Sequence, residues 1–235
     1  MLKHILSRHI EFIYPQSDSS SLIEKICESF DISPTTEAKT DQEFWDENDS
    51  FLITYGDTIL SDEKHPLQNI HEFLGEYLEK AITGVHILPY FPFTSDDGFA
   101  VSDYRTVRHD LGDWEDIQGI AEDYRLMSDV VINHASANHE WFKQFLSNEN
   151  PGQHYIKTSD PTEDLSLVTR PRPSPLLIPF KTTSGEKHVW CTFGPDQVDL
   201  DFSNPDLLCE FISLMRLYIN KGIRVFRLDA VGFLW

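Results

Sequence analysis

The sequence predicts an α/β fold on parallel strands, and within that class the N-terminal half of a (β/α)8 TIM barrel, strands 1–4, with an inserted domain after the third strand. Three observations carry the expectation. Strand-like and helix-like runs alternate from Phe51 onward, and alternation with helix-length crossovers makes neighbouring strands parallel. The first strand is followed by TYGDTILSDE and not by a glycine-rich phosphate loop, so an open nucleotide-binding sheet loses support. Carboxylates, a histidine and an arginine fall at the C-terminal ends of the strands, where barrel enzymes keep their active sites.

Each element has its own warrant. SSSLIEKICESF (Ser19–Phe30) is a short amphipathic helix with Leu22, Ile26 and Phe30 on one face, and SPTTEAKTDQ after it is a polar linker. FLITY (Phe51–Tyr55) reads as the first strand. PLQNIHEFLGEYLEKAI (Pro66–Ile82) follows as a helix with Leu67, Ile70, Phe73, Leu74, Tyr77 and Leu78 on one stripe. GVHILPY (Gly84–Tyr90) is the second strand. DWEDIQGIAEDY is a helix capped by Asp113, and LMSDVVIN (Leu126–Asn133) is the third strand. The stretch 135–200 is rich in proline and aromatics and has no repeated pattern; a connection that long should be a small domain of its own. NPDLLCEFISLMRLYINKG then gives a helix with Asn204 as N-cap, Pro205 at its first position and Gly222 as its stop, and Ile223–Leu228 is the fourth strand. The expected division is 1–50 helical extension and linker, 51–134 barrel strands 1–3, 135–200 insert, and 201–235 third helix and fourth strand.

Composition excludes several function classes. Among 235 residues, 39 are Asp or Glu and 19 are Lys or Arg, a net charge of −20. That argues against nucleic acid, whose affinity rests on cationic contacts to phosphates, and against anionic membranes. Cys27, Cys191 and Cys209 are too few and scattered for a disulfide framework. MLKHILSRHIEFIYPQ lacks the apolar run and cleavage site of a secretory signal, and no stretch of about 18 apolar residues could span a bilayer. A soluble protein of a reducing, cytoplasmic compartment is expected.

The fourth strand poses the chemical question. Asp229 ends a buried-looking strand, where a carboxylate is costly without a partner. Arg227, two residues earlier, shares its face and would favour the ionised form. For an arbitrary Arg-x-Asp the preferred reading is a structural ion pair, and the rest of the chain has to decide. The other strand ends supply company: PYFPFTSDDGFAVSDY after the second strand and DVVINH at the end of the third. Aromatics flanking carboxylates suit a sugar, with its apolar ring faces and rim of hydroxyls.

These strings match a known family. DVVINH (Asp129–His134) resembles the first short motif of glycoside hydrolase family 13, the α-amylase family. GIRVFRLDA (Gly222–Ala230) resembles the second, which carries the nucleophile, and QVDLDFSNPDL (Gln197–Leu207) resembles the motif near the end of that family's domain B. GVHILPYFPFTSDDGF and TRPRPSPLLIPF resemble the sucrose phosphorylase branch, whose members move glucose between a glucoside and phosphate. The wording LITYGD and SDDGFAVSDYR is similar to members acting on glucosylglycerate or sucrose 6'-phosphate.

The resemblance, which covers Asp46–Trp235, implies roles by position. Asp229 would be the nucleophile that forms a covalent glucosyl-enzyme, with Arg227 holding it ionised. Asp96 and His134 would bind glucose hydroxyls over an apolar platform at Phe99. Arg172 would take phosphate, and Phe193, Gln197 and Phe233 would line the site. Blander roles stand beside these. His134 could be a satisfied core histidine, Phe99, Phe193 and Phe233 core aromatics, and Asp97 a solvated loop residue. Asp129, on the opposite face from His134, fits a buried supporting role, and Arg170 could serve in place of Arg172 or brace the loop. His188, Trp190 and Cys191 should pack the insert. Asn133 holds a position that binds calcium in some members, but this branch is calcium-free, so neither metal nor cofactor is assigned. The partners implied are a small glucoside and phosphate, with a homodimer left open.

Two arginines flanking one proline in an acidic chain gather local positive charge where an anion would need it. Retaining transfer needs a second carboxyl about 5–5.5 Å from the nucleophile. In the family that acid/base glutamate follows a later strand, so the chain is expected to be the front half of a longer enzyme and inactive alone. An α-glucosidase or transglucosylase with the same nucleophile, and a non-catalytic sugar-binding fragment, are the alternatives.

Overall fold

The computed structural model describes residues 2–33, 35, 45–79 and 81–234. In chain order the helices and strands are α1 (Leu2–Ile13), α2 (Ser19–Phe30), β1 (Phe51–Thr54), α3 (Pro66–Phe73), β2 (Gly84–Ile87), α4 (Trp114–Asp123), β3 (Arg125–Val131) and β4 (His134–Ser136). They continue with α5 (Glu140–Ser147), β5 (Leu177–Thr182), β6 (Gly185–Trp190), β7 (Gln197–Asp199), α6 (Pro205–Asn220) and β8 (Val225–Asp229). Most of the expected linker at 33–42 lies outside the described residues.

The frame is a four-stranded parallel sheet in the order β1-β2-β3-β8. Each strand lies beside the one that precedes it in the β/α alternation. A doubly wound sheet would instead reverse direction at a switch point. Leu67, Ile70 and Leu74, Ile117 and Ile120, and Leu207, Phe211 and Leu214 bring α3, α4 and α6 into one core with Val85, Ile87, Leu126 and Val130 of the sheet. Residues of β2 are buried throughout, while β1 and β8, at the two edges, are half-buried or exposed.

Local chemistry explains the boundaries. Asp113 caps α4 in a capping box with Asp116, and Asn204 caps α6 through the N–H of Asp206, with Pro205 next. Gly222 takes φ of +94° just past α6 and turns the chain into β8, and a side chain there would run into the Cβ of Ala121. The expected helix 66–82 is shorter: α3 ends at Phe73 and continues as a single π-helical segment, Leu74–Leu78. α2 begins at Ser19 and is capped by Asp18, whose Oδ1 accepts from the N–H of Ser20 at 3.1 Å.

Regular structure also stands where the sequence reading named no individual element. The N-terminal run, within the expected helical extension, is α1. The stretch 135–200 contains α5, capped by His139, and the β5–β6 hairpin. That hairpin turns on Thr183–Ser184, with Thr182 Oγ1 accepting from the N–H of Ser184 at 3.2 Å, so no Asn-Gly signal marks it. At the base of the stretch, β4 and β7 pair antiparallel, His134 opposite Asp199 and Ser136 opposite Gln197.

Candidate active site

The site forms where the chain leaves β2, β3 and β8. After β2, Asp96, Asp97 and Gly98 have φ of +57°, +50° and +107° in succession. Aspartate tolerates this left-handed region better than most residues, and such strain gathers at functional loops. A side chain at Gly98 would meet the Pro89 carbonyl oxygen at 2.9 Å, so the loop can fold back only on glycine. Thr94 and Ser95 hydroxyls both donate to Asp196 Oδ2, at 2.5 and 2.7 Å, which ties this loop to the segment before β7.

β8 presents the acid. Asp229 Oδ1 lies 3.0 Å from Arg227 Nη2, and the other arm of the same guanidinium, Nη1, pairs with Asp129. Asp129 stands directly opposite Arg227 in the β3–β8 register and is fully buried. Its other oxygen lies 2.7 Å from His86 Nε2. Arg227 also sits over the Phe99 ring, 5.6 Å from its centre. Arg227 favours the ionised Asp229, as its shared strand face implied, but it is not the largest influence on that carboxyl. Burial raises the Asp229 pKa above the ordinary carboxylate value, Asp129 and Asp96 push the same way, and Arg227 only offsets part of this.

His134 holds the centre. It is buried, and burial lowers its pKa to about 4, so the ring is neutral at pH 7. Its Nδ1 lies 3.1 Å from Asn133 Oδ1, and its Nε2 is 3.1 Å from Gln197 Nε2 and 3.2 Å from the Phe99 carbonyl oxygen. Gln197 Nε2 donates to Asp96 Oδ2 at 2.9 Å. Arg172 Nη2 lies 3.7 Å from Asp96 Oδ1 with about half of its side chain exposed. The Phe193 ring packs 5.0 Å from His134 and 5.3 Å, edge-on, from Phe233. Asn133 donates through Nδ2 to the Phe233 carbonyl at 2.9 Å, so its amide is engaged in holding the end of β8.

All nine residues singled out from the sequence therefore lie in one run of contacts: Asp229, Arg227, Phe99, His134, Gln197, Asp96 and Arg172, with Phe193 beside the histidine and Phe233 beside Phe193. Arg170 is not part of it. Its Nη1 donates to the Thr192 carbonyl at 3.2 Å, the bracing alternative. Asp97 is exposed, as a loop residue should be. His86 and Asp199 were not singled out. Asp199 accepts from the N–H of Thr192 at 2.9 Å, and burial lifts its pKa to about 7. The signal that could have found His86 is a polar residue inside the apolar run GVHI, a strand buried throughout.

Two hollows lie nearby. One of about 320 Å³, lined by Tyr55, Asp57, Phe93, Asp97 and Arg108, adjoins the Asp96 loop. A second, about 390 Å³ between Asp103, Arg105, His139, Lys143 and Glu210, contains none of the nine residues.

Comparison with known proteins shows the family. The family described as "Alpha amylase, catalytic domain" matches residues 27–234. The chain belongs to the alpha-amylase family. The glucosylglycerate phosphorylase of Allomeiothermus silvanus is 46% identical over 236 aligned residues, covering 100% of this chain and 41% of that protein. The glucosylglycerate phosphorylase of Escherichia coli is 38% identical and also covers 100% of the chain, and 42% of its own length. Among solved structures, the sucrose 6F-phosphate phosphorylase from Thermoanaerobacter thermosaccharolyticum superposes with a TM-score of 0.73 at 29% identity, over 80% of this chain and 41% of that one. The chain thus spans about two fifths of the length of the relatives it matches.

Proposed function

We propose that the full-length protein is a retaining glucosyl phosphorylase that acts on glucosylglycerate, with Asp229 as nucleophile. The observation that carries this reading is the continuous run of contacts that ends on Asp229 and contains every motif residue. In the reaction, an Asp229 carboxylate oxygen attacks the anomeric carbon as the glycosidic C–O bond breaks, and the leaving oxygen takes a proton from a general acid not assigned to this chain. Phosphate then attacks the glucosyl ester, releasing α-glucose 1-phosphate and the free carboxylate. Arg227 balances the buried charge, Asp96 and His134 hold hydroxyls, and Phe99, Phe193 and Phe233 give the sugar apolar walls. Arg172, half-exposed beside Asp96, is the phosphate fork.

The choice of glucosylglycerate rests on extent. Two relatives of that name align along the whole chain, α1 and α2 included, whereas the sucrose 6F-phosphate enzyme covers 80%. The three cysteines are free and buried, which suits the reducing cytoplasm where we place the protein.

The test is to supply the full-length protein with glucosylglycerate and phosphate and to follow glucose 1-phosphate. We expect α-glucose 1-phosphate only when both are present, and little from sucrose. Arg172→Ala should depress phosphorolysis at least about 10-fold more than hydrolysis, the worth of one charge-assisted bond. Release of free glucose at a rate that ignores phosphate would make the protein a hydrolase instead.

A further inference from the structure

The pair behind the candidate nucleophile extends one residue deeper than the motifs reach. Asp129 is fully buried in β3 and His86, on β2, is 3% exposed. Both oxygens of Asp129 are occupied: Oδ2 faces His86 Nε2 at 2.7 Å and Oδ1 takes Arg227 Nη1. A carboxylate oxygen accepts, so His86 Nε2 carries the hydrogen of that bond. The register explains why the three side chains meet. His86 lies opposite Met127, two residues before Asp129 on the same face of β3, and Asp129 lies opposite Arg227.

We propose that His86 is a positioning residue for glucosyl transfer: it fixes Asp129, which fixes the share of the Arg227 guanidinium left for Asp229. The inference rests on the reading of Asp229 as nucleophile. Its physical basis is competition. One guanidinium serves two carboxylates, through Nη1 to Asp129 and Nη2 to Asp229. With His86 in place, Asp129 needs only one arm. Without it, a fully buried carboxylate oxygen loses its donor, a costly state in an apolar setting. The partner within reach is the second arm of Arg227, and a bidentate grip on Asp129 draws that arm off Asp229. Asp229 then loses both its orientation and its compensating charge.

The signature differs from that of a merely structural histidine. Sugar binding uses Asp96, His134 and the aromatics, so KM for the glucoside should stay within about twofold. Misplacing the nucleophile by a fraction of an ångström should lower kcat by about 10- to 100-fold. The experiment compares His86→Leu, which removes the donor, with His86→Gln, whose amide N–H can restore it, in the full-length protein. Expected are a fall in kcat for Leu with KM held, and recovery of most of that loss for Gln. A folded His86→Leu protein with wild-type kcat, or a Gln variant as slow as the Leu variant, overturns the proposal.

A measurement on the wild type covers the case in which neither variant folds. Trapping with a 5-fluoroglucosyl fluoride turns Asp229 into an ester and frees Arg227 for Asp129. The His86 Nε2 proton resonance should shift on trapping, and an unmoved resonance refutes the coupling. Peptide mapping of the trapped protein separates the two readings. A label away from Asp229 removes the nucleophile assignment and this inference with it, whereas a label at Asp229 with an unmoved His86 resonance removes only the inference.

Discussion

The cluster around Asp229 and the N-terminal helix pair rest on the same frame and are held by different forces. At the cluster, buried polar groups answer one another: Asp129 against His86 and the half-exposed Arg227, His134 against Gln197 and Asn133, Asp199 against Thr192. At the helix pair, Ile10, Tyr14, Leu22, Ile23, Ile26 and Cys27 of α1 and α2 form an apolar seam with Cys209 of α6. Charge there stays at the rim. Lys25 meets Asp206 at 2.8 Å and Arg216 meets Asp31 at 3.4 Å, pairs with at least one partner more than half exposed and worth little. A buried polar tie crosses the seam, from the Tyr14 hydroxyl to the Phe202 carbonyl at 2.9 Å. The first region should therefore respond to changes of charge, the second to changes of volume.

The sharpest break of that contrast is charge removal at the cluster. Asp229→Asn should abolish glucosyl transfer, by about 10^4-fold or more, because an amide cannot attack the anomeric carbon. Its thermal melt should stay within a few degrees of wild type. Burial already opposes the charge on Asp229, so an amide loses the pairing with Arg227 but escapes the desolvation. Initial rates and circular-dichroism melts of the full-length protein check both halves. A folded variant with wild-type turnover ends the assignment.

Volume removal at the helix pair should do the reverse. Ile23, 2% exposed in the seam, changed to alanine should cost about 2–5 kcal/mol of stability where α1 and α2 dock. The melt should fall or split while kcat and KM hold. If Ile23→Ala slows turnover as strongly as a change at the cluster, the two regions are coupled and the contrast fails.

The same difference decides what could be read from the sequence. The cluster was legible through its resemblance to family motifs: SDDGF, DVVINH and FRLDA stand at strand ends, RPRP and QVDL lie in the insert, and all nine residues that the resemblance implied lie together. Asp129 fitted its supporting role from strand alternation alone. What stayed hidden depends on partners far away in the chain. α1 has apolar Leu2, Ile5, Leu6, Ile10 and Ile13 at helical spacing, but the surface it needs includes α6, about 200 residues later. The net direction of the Asp229 shift was missed for a related reason. The neighbour Arg227 is visible in sequence, whereas the depth of burial and the like charges of Asp129 and Asp96 come from other strands.

The smallest expected effect is a difference in how the two regions loosen with acid. Burial holds His134 and His139 at pKa values of about 4, below the usual 6.5. An unfolded chain protonates these rings near pH 6.5 and the folded one only near 4, so their full stability is present above 6.5 and is lost as pH falls toward 4. Asp199 has the opposite sign. Its folded pKa of about 7 exceeds the ordinary 3.8, so its contribution is complete below 3.8 and is lost as pH rises through 7. From pH 8 to 6.5 Asp199 acts before the histidines charge, and the melt should rise slightly. Below 6.5 His134 and His139 pull against Asp199 and against Asp229, whose pKa is also raised, and the region from His134 to Trp141, which carries both histidines, should weaken. In α1 and α2 the groups that burial shifts lie outside this window, Tyr14 being pushed up to about 12 and the Cys27 thiol also upward. Hydrogen exchange at pH 5 against pH 7 should therefore open peptides spanning 134–141 before those spanning 19–30. His139→Asn keeps a cap for α5, where His139 Nδ1 accepts from the N–H of Trp141 at 3.1 Å, and removes one titrating ring. That variant should lose less protection on acidification, while Asp199→Asn should erase the small rise between pH 8 and 6.5. Earlier opening of 19–30 at pH 5 would place the acid-sensitive charges in the helix pair and reverse the contrast.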